Sequence, residues 1–220
     1  MANKNTSQKR ELTRAALISA THELVLRRGY EKISIQDITE VAQVGLGTFY
    51  NYFQTKQLAF EAVLEDIQGR FNDSLNLIRQ PLKDPATIIA VSLQYSLTQA
   101  QDNRDWTTFV EFTGLTDQRV LHQDAEQLLL DIQRGAKGGR FKVNDPTLTH
   151  SLIIGMIRHV SREIRRGNLA RSAMPETTRH VLRMLGLPDQ VAKALTQAPM
   201  SPVAVPRRTE AVATILAVSA

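Results

Sequence analysis

The chain has 220 residues, 42% of them apolar and 5% aromatic, enough to bury the core of one large helical domain or of a small and a larger helical unit. Lys and Arg total 27 against 22 acids, a net charge of +5 that permits an anionic partner without requiring one. There is no cysteine, which excludes disulfides, thiolate metal sites and cysteine catalysis.

Residues 1–8 are polar and read as a frayed start. From Lys9 the pattern is helical, with Leu12, Ala16, Ala20 and Leu24 spaced for one buried face. Arg27, Arg28 and Gly29 end that helix with a cationic last turn and a permissive residue after it. Ser34 and Asp37 have the spacing of a capping box and open a short helix through about Ala42. Gly45 and Gly47 bracket a turn, and a second short helix covers Leu46 to Tyr52. Thr55 caps a long helix over 56–80, which Pro81 stops. Asp84-Pro85 and Asp145-Pro146 each place an acid at N-cap and Pro at the first helical position, and predict helices over 85–101 and 146–166. Between these lie two more, over 104–115 and 119–135, followed by a Gly- and Lys-rich loop from Gly135 to Arg140. A helix over 175–186 and a short one after Pro188 complete the pattern. Pro199, Pro202 and Pro206 mark a tail. No strand-period run occurs, so the fold is expected to be all α.

The polar stretch from Met1 to Arg14 lacks the apolar core of a signal sequence, and no run of about 18 apolar residues occurs. A soluble, cytoplasmic protein with no membrane partner is expected. The five histidines, His22, His122, His150, His159 and His180, show no metal-ligand spacing, and no nucleophile elbow or dinucleotide-binding turn is present. No enzyme, metal or cofactor is expected. Arg158, Arg162 and Arg166 form a stripe, with Arg165 beside it, that reads as a solvated helix face with Glu163 as partner rather than, as the alternative, a site for an anionic effector.

Two short helices joined by a tight turn, between one helix and a long one, form a specific arrangement. Residues 34–53 read SIQDITEVAQVGLGTFYNYF. Ile35, Ile38, Val41 and Ala42 give the first short helix its buried side, and Val44 fills the turn. Leu46, Phe49 and Phe53 are expected to pin the second helix to its bundle. Its other face then presents Gly47, Thr48, Asn51 and Tyr52, with Tyr50 at the edge. Small, hydrogen-bonding and uncharged, this surface suits close insertion into a major groove. Backbone N–H groups near Gly45 to Gly47, the Tyr50 and Tyr52 hydroxyls and Lys56 are placed for phosphates. Singly, the two tyrosines could cover core and Lys56 could be a solvated charge; a carrier that did not bind DNA would have no use for the combined face.

The run Gly29-Tyr30, Ser34-Ile35-x-x-Ile38, Val41-Ala42, Val44, Gly47-Thr48-Phe49-Tyr50-x-Tyr52-Phe53 and Lys56 closely resembles the TetR/AcrR signature, over about residues 9–65. Gly139-Arg140-Phe141, Asp145-Pro146 and Gly155 also look like that family's regulatory domains. One departure is Gln43, where the family often has Gly at the turn. The resemblance implies an N-terminal helix-turn-helix DNA-binding domain over 1–55 and a helical effector-binding and dimerisation domain over 56–198, with a tail over 199–220. It implies a repressor released from a palindromic double-stranded DNA operator by a small-molecule effector; an activator on the same fold is the alternative. Ser34, Gln36, Gly45, Leu46, Gly47, Thr48, Tyr50, Asn51, Tyr52 and Lys56 align with DNA-touching positions.

For the regulatory half, Leu152, Gly155, Met156, Ile157 and Val160, with Val181, Leu182 and Leu185, are expected at a homodimer interface built as part of a four-helix bundle; the alternative is that these apolar faces serve only the protomer's own core. Tyr95, Trp106, Phe109, Phe112 and Met156 are apolar candidates for an effector pocket, and Gln94, Glu111 and His159 polar ones, although ordinary core is the better reading of any one of them alone. The long helix 56–80 is expected to link pocket to reading head.

Overall fold

The computed structural model describes residues 2–105, 108 and 122–197, and the elements among them are all helical. They are α1 (Ala2–Arg28), a 3-10 turn (Tyr30–Lys32), α2 (Ile35–Val41), α3 (Leu46–Tyr50), α4 (Lys56–Arg79), α5 (Pro85–Asp102), α6 (His122–Lys137), α7 (Pro146–Arg165), α8 (Ala173–Met184) and α9 (Asp189–Gln197). The chain divides into two compact units inside α4, one ending at Gly69 and the other beginning at Arg70. The expected helix 104–115 lies almost wholly outside the described residues, as does the tail.

Local chemistry explains the helix ends. Ser34 and Asp37 form a reciprocal capping box at α2. The Leu58 N–H donates to Thr55 Oγ1 at the start of α4. Asp84 accepts from the Thr87 N–H at α5, and Asp145 from the Thr147 and Leu148 N–H groups at α7. Gly29 ends α1 at φ 81°, a conformation that costs a residue with a Cβ. Several boundaries shift by one or two residues, and two differences have a visible cause. α1 is helical from Ala2, because a chain free of Gly and Pro extends an anchored helix more cheaply than it nucleates one. α6 continues through Gly135 to Lys137 where a loop was expected. Phe141 folds back over that glycine: a Cβ there would sit 2.1 Å from two ring carbons.

In the first unit, α1 packs on α2 and α2 on α3, with Leu17, Leu24, Val25, Ile38, Phe49, Phe53, Ala59, Phe60 and Val63 buried. In the second, α5, α6, α7, α8 and α9 pack around Ile89, Ile132, Phe141, Ile153, Val181, Leu182 and Leu185. A charged cluster crosses this unit. Arg79 donates to Asp131 and to Ser92 Oγ, and the Asp131 side chain is only 2% exposed.

Arg140, just past the α6 turn, makes a two-pronged bond to the N-cap of α5, with Nε 2.7 Å from Asp84 Oδ1 and Nη2 3.2 Å from Oδ2. The guanidinium, helped by hydrogen bonds from Thr87 and opposed by desolvation, lowers the Asp84 pKa from 3.8 to about 2. A depressed carboxylate adds stability above its unfolded value that is lost as pH falls through its folded one. Arg140→Ala should therefore destabilise at pH 7, and the gap from the wild type should narrow as pH falls from about 4 towards 2, measured by denaturant unfolding. A gap that is constant with pH would contradict this pairing.

Candidate nucleic-acid interface

The turn between α2 and α3 is built from backbone hydrogen bonds and one unusual residue. The Val44 N–H reaches the Thr39 carbonyl at 3.0 Å and the Gln43 N–H the Glu40 carbonyl at 3.2 Å. Gln43 takes φ 54°, so the sequence accepts a left-handed residue where glycine would be unstrained. Gly45 is the extended N-cap of α3, its carbonyl accepting from Thr48 and Phe49. At the other end the Phe53 N–H closes on the Phe49 carbonyl at 2.9 Å. Ser34, at the head of α2, is tied to Asp37, and Asp37 also receives Arg28 at 3.0 Å. The Ser34 hydrogen bonds, then Arg28, hold the Asp37 carboxyl below its ordinary range.

α3 is a single turn, and one side chain anchors it. Phe49 is fully buried, its ring edge-on to Tyr50 at 5.7 Å and tilted against Phe53 at 5.8 Å. Leu46 was expected to share this anchoring and does not: it is 51% exposed. It is the first residue of the helix, where the Cα–Cβ bond tilts back past the N-terminus and no earlier turn lies beneath it. Val41, expected in the buried side of α2, is likewise 42% exposed. The outer side of the motif carries Ser34, Gln36, Gly45, Leu46, Gly47, Tyr50 and Asn51, all exposed, with Thr48 and Tyr52 half-buried. Nine of the ten expected DNA-touching residues, all uncharged, are thus exposed or half-buried in the stretch from Ser34 to Tyr52.

Lys56 differs from the rest. Its Nζ donates to the Tyr30 carbonyl at 3.1 Å and the Ile33 carbonyl at 2.9 Å, and lies 4.4 Å from the centre of the Tyr30 ring. The ammonium fastens the 3-10 turn onto the start of α4, which leaves at most one N–H for a phosphate. This fastening was invisible in the sequence, where the partners lie 26 and 23 residues away. Lys56→Ala should lower stability by about 1–3 kcal/mol, from two lost charge-assisted hydrogen bonds and the ring contact. Any loss of DNA binding should come with a lower unfolding midpoint; a purely phosphate-binding lysine would leave the midpoint alone.

Of the effector-pocket candidates, Gln94, Tyr95, Met156 and His159 fall among the described residues. Gln94 Nε2 is spent on the Thr196 carbonyl at 2.8 Å, tying α5 to α9. Tyr95 is buried against Phe71, ring centres 5.2 Å apart. Met156 packs on the core of the second unit. His159 is solvent-exposed, because α7 buries the face of Ile153, Ser161 and Ile164 and His159 lies off it. Trp106, Phe109, Glu111 and Phe112 lie outside the described residues. Among the described residues, grooves of about 690 and 340 Å³ flank Arg79 between α4 and α6, and none of the expected residues lines either.

The interface expectations divide. Leu152 and Gly155 are exposed on α7, while Met156, Ile157 and Val160 are half-buried. Val181, Leu182 and Leu185 are each 0% exposed in the protomer's own core and offer a second copy no surface. Apolar residues at helical spacing signal burial, and the sequence does not say against which chain.

Residues 17–63 match the family described as "Bacterial regulatory proteins, tetR family", and residues 84–197 the "Tetracyclin repressor-like, C-terminal domain". Over 71 residues the chain is 35% identical to the HTH-type transcriptional repressor DhaR of Mycobacterium sp. (strain GP1), covering 34% of that protein and 32% of this one. The chain thus spans about a third of that curated relative. RolR in complex with resorcinol is similar over 90% of this chain and all of its own, with 29% identity and a TM-score of 0.71. The Bacillus subtilis regulator FadR, in complex with stearoyl-CoA, shares the fold at 19% identity and a TM-score of 0.61, over 78% of this chain and 96% of its own. With the exposed face of α3 placed by its helix-turn-helix, and more than half of its length matched by one domain of the family, the chain belongs to the TetR family of DNA-binding transcriptional regulators.

Proposed function

We propose that this regulator is a homodimeric repressor that binds a palindromic operator and leaves it when a small molecule occupies the helical domain over residues 56–198. The observation that carries the reading is the uncharged, exposed surface of α3 on an anchored helix, with Leu46, Gly47, Tyr50 and Asn51 outward and Phe49 buried. Base edges offer donors, acceptors and thymine methyls, which such side chains match at close range. Ser34, Gln36, Gly45, Thr48 and Tyr52 complete the contact, chiefly to the backbone.

One such helix reads few base pairs. A two-fold dimer presents two, about 34–36 Å apart, on one face of the duplex. Leu148 and Leu152, 57% and 52% exposed on α7 with Gly155 one turn on, form an apolar face suited to a second copy. Effector control requires only that the ligand prefer the conformation that does not fit DNA. A preference of about 10² corresponds to roughly 2.7 kcal/mol, and α4, continuous from Lys56 to Arg79, is the covalent path for the change. Because RolR, complexed with resorcinol, matches over its whole length, a small phenol is the first effector to test. From the DNA target we infer that the protein acts in the cytoplasm.

Selection of bound sequences from random duplexes tests the reading. An inverted repeat with half-sites about one helical turn apart supports it. A set of unrelated sequences, or no binding at low salt, refutes it. Adding resorcinol to the complex then tests the effector class, release supporting a phenol and undisturbed binding excluding it.

A further inference from the structure

We propose that the cleft around Arg79, between α4 and α6, is the effector site, and that it takes a small uncharged aromatic alcohol whose hydroxyl donates to the buried carboxylate of Asp131. This rests on the reading that a small molecule releases the operator. It adds where that molecule sits and which atom recognises it.

The two oxygens of Asp131 are served unequally. The side chain is 2% exposed, and Arg79 donates to Oδ2, so a charge is buried beside the cleft. Oδ1 has a much poorer partner, the Gln127 Nε2 at 3.4 Å, close to the outer limit of a hydrogen bond. Among the described residues no other donor reaches that oxygen. A buried carboxylate oxygen with one long bond carries a desolvation cost that a better donor offsets. An O–H aimed at an ionised carboxylate closes to about 2.5–2.7 Å and is roughly twice as strong as a neutral hydrogen bond. The group such a ligand displaces is Gln127, half-buried and present in the lining of both grooves, as Arg79 is. The amide thus holds the place of a ligand hydroxyl.

The walls select the rest of the molecule. Leu77, Leu82 and Ile88 give the larger groove apolar surface for a flat ring, and the amides of Asn76 and Gln80 serve further polar groups. The charges select against an ion. Arg79 and Arg134 stand against Asp73, Glu126 and the buried Asp131, so a carboxylate finds no net attraction. An ammonium on Oδ1 is repelled by the guanidinium on the other oxygen. A hydroxyl supplies a donor without a charge and meets neither penalty. Arg79 is also the last residue of α4, so a ligand that shares its carboxylate acts directly on that helix.

The test titrates the full chain, by calorimetry, with resorcinol and with 1,3-dimethoxybenzene, the same ring without a hydroxyl to donate. The wild type should prefer resorcinol about tenfold or more, the worth of one hydrogen bond to a charged group. Asp131→Asn should remove most of that preference by weakening resorcinol alone, which a merely structural role would not do. Gln127→Ala, which leaves the ion pair in place, should bind resorcinol severalfold more tightly and the ether no differently. A preference that survives in Asp131→Asn, weaker resorcinol binding by Gln127→Ala, or tighter binding of benzoate or benzylamine than of resorcinol by the wild type overturns the proposal. If resorcinol still releases the operator in any of these cases, effector control stands and the site lies elsewhere. A wild type that neither binds resorcinol nor gives up the operator to it overturns the site and the phenol reading together.

Discussion

Phe49→Ala should abolish DNA binding and cost the first unit about 3–5 kcal/mol, the largest single effect expected in the reading head. Phe49 is 0% exposed and is the interior side chain of a five-residue helix, so its removal leaves a cavity that one turn of backbone cannot close. A helix this short has no stability of its own in water; it exists because its ring is packed. Phe53, 5% exposed, would then hold only the exit of the motif. Hydrogen exchange read by segment should show residues 35–53 losing protection while the core of the second unit, around Ile89, Ile132 and Leu182, keeps its own. Phe49→Leu, which keeps most of the volume, should cost less than about 1.5 kcal/mol and retain binding. Full protection of residues 35–53 in Phe49→Ala would contradict the anchoring described.

The second large effect belongs to the charged cluster of the other unit. Asp131→Ala should destabilise that unit by about 3–5 kcal/mol, because it strands the Arg79 guanidinium, 13% exposed, with only the Ser92 hydroxyl for company. The pair itself contributes little net stability, since the desolvation of two charges offsets most of their attraction. Arg79→Met/Asp131→Leu should therefore recover most of the loss in denaturant unfolding. If the double variant were no better than Asp131→Ala, the penalty would not come from an uncompensated charge.

The readable and unreadable parts of this fold separate by the sequence distance over which each interaction acts. Ser34 with Asp37, Asp84 with Thr87 and Asp145 with Leu148 are contacts within one turn, and side-chain type at a fixed short spacing announces them. The two short helices and their turn were legible for the same reason, whereas the left-handed position at Gln43 was marked only by the family resemblance. Lys56 with Tyr30 and Ile33, and Arg79 with Asp131, join residues 23 to 52 apart, and nothing at either position names the other. One signal was available. Leu128, Asp131, Ile132 and Gly135 recur at i, i+3, i+4 and i+7, and all four are buried, so an acid stood at a core-facing position of α6. Leu46 shows the opposite failure. Apolar character at the spacing of Phe49 suggested burial, but on the first residue of a one-turn helix periodicity has no preceding turn to refer to. Val181, Leu182 and Leu185 were expected at an interface between copies, and their full burial within the protomer favours the alternative reading, its own core.

Leu46, exposed rather than anchored, is among the residues proposed to lie against bases, and that places the central claim within reach of one measurement. Sequence preferences selected from random duplexes should be compared for the wild type and Leu46→Ala. If the outer side of α3 lies against base edges, the variant should keep its stability and its response to salt, but relax or change its choice at one position in each half-site. Each lost contact there is worth about 1–3 kcal/mol of discrimination. Identical preferences in the two proteins, whatever the change in overall affinity, would show that this side of the helix does not read DNA.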